Sequence, residues 1–182
     1  AIAFLTPILI CLVAAGITVL IAEPRPSSLS TEKLREMPER FLFIFLFIGL
    51  GEEPGWRGFA LPELQKKHSP LIASLILAPV WAIWHLPLVG NEFSLPIVAA
   101  FLLSLFGATF VLTWIFNRTN GSVLLPMLFH ATVNTVGARL IFPLFTGAAL
   151  IALWYIYGAV WLCVGLTTLL LARTQLNPIR TS

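Results

Sequence analysis

Long apolar blocks, nearly free of charge and separated by short polar segments, run through this sequence from end to end. As a helix, about 20 apolar residues cross the roughly 30 Å hydrocarbon core of a bilayer. In lipid every backbone group has to be paired within the protein, so only helices or a closed β-barrel can span. A barrel needs alternating apolar and polar residues, whereas these blocks are solidly apolar. The expected fold is therefore all-α: a polytopic transmembrane bundle of about six spans. A hydrophobic share of 58%, a charged share of 10% and a mean hydropathy of +0.93 agree with lipid as the main solvent.

The first span runs from Ala1 to about Ala22 and stops at Glu23-Pro24-Arg25-Pro26, where two prolines remove backbone donors. Residues 23–40 form the one sizeable polar loop, with Ser30 as the expected N-cap of a short surface helix. A second apolar run starts at Phe41 and meets Glu52-Glu53-Pro54-Gly55-Trp56-Arg57-Gly58 about half a bilayer later. The third span is expected over Leu71 to about Val89 and the fourth from about Phe93 to Phe116. Asn117-Arg118-Thr119-Asn120-Gly121 reads as a tight turn, because Asn-Gly favours positive φ. The fifth span, about Ser122 to Ile141, contains Pro126, His130 and Asn134, and the sixth runs from about Gly147 to Ala172.

No internal repeat divides residues 1–182, which are expected to form one transmembrane domain. The first apolar run begins at once, with neither Met nor a basic lead, so a signal peptide is not expected and the chain reads as an excerpt of a longer protein. Cys11 and Cys163 both lie in apolar runs and read as small buried hydrophobes. A net charge of +3 sits in connecting segments, where it suits lipid headgroups and implies no nucleic-acid partner. Alternating the sides of six spans puts Arg57, Lys66, Lys67, Arg118, Arg173 and Arg180 on one side. Arg25, Lys33, Arg35, Arg40 and Arg139 fall on the other, a near-even split that assigns no orientation.

Nearly all charged residues lie in loops or tails; Glu52, Glu53 and Arg57 are the exceptions, and His85 and His130 join them at membrane depth. Each ionisable group there costs about 2.5 to 3.5 kcal/mol on permissive insertion scales, so together they point to one polar centre inside the bundle. Residues four apart on a helix share a face, so Glu53 is expected to pair with Arg57 in a mainly structural role. Glu52 is then the less committed carboxylate and the candidate general base. His130 and Asn134 share a face by the same spacing and offer an imidazole and an amide able to polarise a carbonyl. A Glu and a His from different helices can hold a water between them, an arrangement suited to hydrolysis. Trp81, Trp84 and the Phe-rich run at 41–47 read as packing and lipid contact.

These residues resemble the CPBP (CAAX protease and bacteriocin-processing, or Abi) family of intramembrane glutamate endopeptidases, which includes CAAX prenyl protease type 2. Glu52-Glu53-Pro54-Gly55-Trp56-Arg57 is similar to its Glu-Glu-x-x-x-Arg signature, Trp81-Ala82-Ile83-Trp84-His85 to its Phe-x-x-x-His, and His130-Ala131-Thr132-Val133-Asn134 to its His-x-x-x-Asn. The resemblance covers about residues 41–141, and it departs at Trp81, where the family pattern has Phe. It implies that Glu52 activates a water, that His85 helps hold it, that His130 and Asn134 stabilise the oxyanion, and that Glu53 and Arg57 support the site. No cofactor is implied. The substrate would be a membrane peptide or protein, in some relatives lipidated, and the setting the membrane of a prokaryotic cell. The family usually has more than six spans, which again suggests missing N-terminal sequence.

Two other readings start from the same residues. Glu52, His85 and His130 are possible zinc ligands for a metalloprotease, although no His-Glu-x-x-His helix is present. A non-enzymatic protein would use the cluster as a proton relay, or as a rigid core for partner binding such as bacteriocin immunity.

Overall fold

The computed structural model describes residues 2–91 and 93–172. Among them the chain is all-α, with no strand and one isolated bridge between Val89 and Phe93. Helices α1 (Ile2–Ile21), α2 (Thr31–Ile44), α3 (Leu50–Gly55), α4 (Leu61–Gln65), α5 (Pro70–Trp84), α6 (Val98–Arg118), α7 (Leu124–Val133) and α8 (Gly147–Ala172) follow in chain order. Among the described residues, five helical stretches are long and apolar enough to cross a membrane: Ile2–Ile21, Pro70–Leu88, Leu95–Arg118, Leu124–Leu144 and Gly147–Leu170. The protein is an integral membrane bundle. Arg173 and Arg180, which the sequence assigns to a tail, lie outside the described residues.

The expected surface helix and second span are one continuous helical path. From α2 it passes through a π-helical turn at Phe45–Gly49, α3, a second π-helical turn at Trp56–Ala60, and α4. Ser30 caps its start, accepting a hydrogen bond from the Lys33 amide at 3.2 Å. Pro62 removes the donor that would bond the Gly58 carbonyl, inside the second π turn, and the ladder widens there. The path is as long as a span, but Glu52, Glu53 and Arg57 interrupt its apolar run.

Two boundaries differ from the sequence reading. α6 starts at Val98, five residues late, because Gly90 (φ 89°), Pro87 and Pro96 break the stretch between α5 and α6 into turns and short 3-10 segments. The fifth span leaves α geometry at Asn134 and continues as a π-helical segment, Asn134–Ile141. Arg139 lies inside that span, as the expected bounds to Ile141 already required, and not with the loops where the charge count above placed it. The turn at Asn120 (φ 52°) and Gly121 (φ 80°) has the expected positive angles.

Small residues set the main helix contact. A Cβ on Gly107 of α6 would stand 2.2 Å from the Trp161 carbonyl oxygen of α8, one on Gly158 2.5 Å from that of Ala100, and one on Gly165 2.7 Å from that of Gly107. With no hydrophobic drive between helices in lipid, such close backbone approach supplies van der Waals contact in its place. Ser74 of α5 and Thr113 of α6 add a buried hydroxyl pair at 2.8 Å. Phe93, Phe101, Phe142, Trp154, Tyr157 and Trp161 fill the bundle around α6 and α8, mostly edge-to-face.

Candidate active site

Gly49 brings the glutamate helix against α7, since a Cβ there would lie only 3.3 Å from the Met127 carbonyl oxygen. One turn further along each helix, Glu53 and His130 meet. Arg57 Nη1 donates to Glu53 Oε1 at 2.9 Å, as the i,i+4 spacing predicts, and both side chains are 0% exposed. His130 Nδ1 reaches the same oxygen at 2.7 Å. An ionised carboxylate only accepts, so Nδ1 carries the proton, and Nε2 donates only when the ring is doubly protonated. His130 is thus held by the carboxylate that the sequence assigns to Arg57 alone.

Glu52 takes a different set of partners. Its Oε2 accepts from the indole N–H of Trp81 at 3.1 Å and faces that of Trp56 at 3.3 Å. Two donors on Oε2 leave Oε1 as the open oxygen. Trp81 also lies under the Arg57 guanidinium, whose Cζ is 4.3 Å from a ring centroid, and it touches His85 and His130 edge-on. Reading Trp81 as packing was incomplete: its side chain contacts four charged or titratable neighbours, Glu52, Arg57, His85 and His130. The available signal was chemical, because a buried Trp N–H needs an acceptor, and Trp56 stands four residues after Glu52.

His85 ends α5. Its backbone amide bonds the Ala82 carbonyl at 3.1 Å, which leaves the Trp81 carbonyl to the His85 ring, and Nδ1 bonds it at 2.7 Å. A carbonyl cannot donate, so Nδ1 is protonated and Nε2 of the neutral ring is an acceptor. Pro87, two residues on, helps fix the helix end that imposes this tautomer.

Glu52, His85, His130 and Asn134 line one cleft of about 520 Å³, together with Trp84, Phe93, Phe101 and Arg139. Glu52, His85 and Asn134 are half-buried, and His130 is buried. Behind the two histidines and Asn134 lies a mostly apolar cavity of about 100 Å³, walled by Phe101, Phe129, Trp154 and Trp161 among others. Among the described residues no three His, Cys, Asp or Glu side chains are grouped so as to hold one metal ion.

The sequence model of the family described as type II CAAX prenyl endopeptidase Rce1-like matches residues 36–136, which include Glu52, Glu53, Arg57, His85, His130 and Asn134. CAAX prenyl protease 2 of Methanococcus maripaludis is 32% identical over 102 residues, 51% of this chain. The match spans 38% of that relative's length.

Proposed function

The chain belongs to the Rce1-like type II CAAX prenyl endopeptidase family, and from that premise we propose that it is an intramembrane endopeptidase that cleaves a membrane-associated protein near its C-terminus through water activated by Glu52. The convergence of Glu52, His85, His130 and Asn134 on one cleft, from α3, the end of α5 and the fifth span, is the observation that carries this reading.

Water set between Glu52 Oε1 and His85 Nε2 meets two acceptors. It donates both hydrogens to them and presents a lone pair to a substrate carbonyl. Glu52 takes the proton as the oxygen attacks, and the indole donors on Oε2 keep the carboxylate in one orientation. The developing oxyanion is met by the Asn134 amide and by His130 Nε2–H when that ring is doubly protonated, with Nδ1–H still held by Glu53. Glu52 then returns a proton to the leaving amine, so the enzyme ends as it began.

No metal takes part in this scheme. By analogy with the relatives' printed names, a prenylated C-terminal peptide is the leading substrate class. Proteolysis of a membrane peptide by purified Glu52→Gln and His85→Ala tests the assignment. Each variant is expected to lose at least a hundredfold in rate, in the range a positioned acid or base contributes; full activity in either overturns it.

A further inference from the structure

A second chamber of about 480 Å³, lined by Glu36, Glu39 and Arg40, shares Ile44, Ile48 and Arg139 with the cleft at the candidate site. Arg139 lies beyond the stretch that matches the family. Its place beside the site depends on backbone geometry. In an α-helix, residues 134 and 139 diverge by about 140°, at 100° per residue. The Asn134–Ile141 segment is π-helical, and its i→i+5 hydrogen bonds turn residue 139 back toward the side of residue 134. Asn134, Ala138 and Arg139 therefore share one cleft wall.

Arg139 is exposed, and among the described residues no carboxylate lies within 4 Å of it. Glu36 in the second chamber is held by Arg40 at 2.6 Å. A cation inside a span is costly, and an anion reaching it along the cleft would offset that cost. Its guanidinium fork fits a carboxylate through two parallel hydrogen bonds. Residues 134 and 139 are separated by at most about 7.5 Å along the helix axis, at 1.5 Å per residue. An extended peptide advances about 3.3 to 3.6 Å per residue, so a carbonyl at Asn134 and a carboxylate at Arg139 are spanned by a few residues.

We propose that Arg139 binds the C-terminal α-carboxylate of the substrate and so sets how far from the chain end the cut is made. This rests on the protease reading and adds to it a residue that selects free C-termini. The probe is one membrane-soluble peptide made as the free acid and as the C-terminal amide. Cleavage is measured with wild type, Arg139→Gln and Arg139→Lys, and binding with the same three sequences carrying Glu52→Gln.

Wild type is expected to favour the acid by about tenfold or more, the scale of a charge-assisted hydrogen-bond pair. Arg139→Gln brings the acid-to-amide ratio near one, and Arg139→Lys keeps part of it. An unchanged ratio in Arg139→Gln, no preference in wild type, or no binding of either peptide overturns the proposal. An Arg139→Gln effect that is equal for acid and amide and appears only in anionic bicelles also overturns it, and assigns the residue to lipid headgroups. Acid-selective binding through Arg139 without cleavage leaves this site standing and removes the protease reading. Cleavage without acid preference does the reverse.

Discussion

His130 Nδ1 lies 2.7 Å from Glu53 Oε1, joining α7 to α3 across 77 residues of sequence on an oxygen that Arg57 also contacts. One fully buried carboxylate therefore neutralises a guanidinium and fixes an imidazole.

Glu53→Gln leaves Arg57 buried without its counter-charge, and the thermal stability of the purified protein in detergent is expected to fall by about 3 to 5 kcal/mol. Glu53→Met with Arg57→Met removes both charges and is expected to recover much of that loss. It does not recover turnover, because His130 has then lost its acceptor. A Glu53→Gln protein as stable and as active as wild type would contradict the shared-oxygen arrangement.

Trp81→Phe keeps an aromatic ring beside Arg57 and deletes one N–H from Glu52 Oε2. Turnover is expected to drop on the order of tenfold, from the loss of about 1.5 kcal/mol of charge-assisted hydrogen bonding. Trp56→Phe is expected to cost less, since its contact is the longer at 3.3 Å, and the double variant more than the two together. Unchanged kinetics in the double variant would mean that Oε2 is held by something else.

Chelation separates metal-free hydrolysis from the zinc alternative. Prolonged EDTA treatment and gel filtration are expected to leave proteolysis within twofold of the untreated enzyme. Activity that disappears and returns with added Zn²⁺ would reinstate Glu52, His85 and His130 as ligands, at the expense of the scheme above.

Gly107→Ala places a methyl 2.2 Å from the Trp161 carbonyl oxygen, while Gly51 has open space around its Cα. Gly107→Ala is expected to lower the unfolding temperature and to weaken the α6–α8 contact. Gly51→Ala is expected to be neutral or slightly stabilising, by up to about 1 kcal/mol from helix propensity. Similar melting of the two variants would rule out close backbone approach as the source of the helix packing.

Much of this was legible in the sequence. Apolar runs fixed the helices, Asn120-Gly121 the turn, and the i,i+4 rule the Glu53–Arg57 pair, because each of these is set by local spacing. Contacts between helices were not. The bond from His130 to Glu53 depends on Gly49 letting α7 approach, and the bonds from Trp56 and Trp81 to Glu52 depend on which way two indoles turn. The placement of Arg139 was hidden for another reason: counting by 3.6 residues per turn sends it away from Asn134, and only the π-helical widening reverses that. The delayed start of α6 was partly visible in Pro87, Gly90 and Pro96, punctuation that the continuing apolar composition outweighed.

The glycine seam between α6 and α8 also has an evolutionary consequence. At positions 107, 158 and 165 the nearest atom to an added Cβ is a backbone carbonyl oxygen, so no compensating side-chain change in a neighbouring residue can make room for a larger one. Natural variation there is expected to be as narrow as at the glutamates, although none of the three glycines takes part in chemistry. Drift in sequence would instead accumulate on the lipid-facing sides of the same two helices.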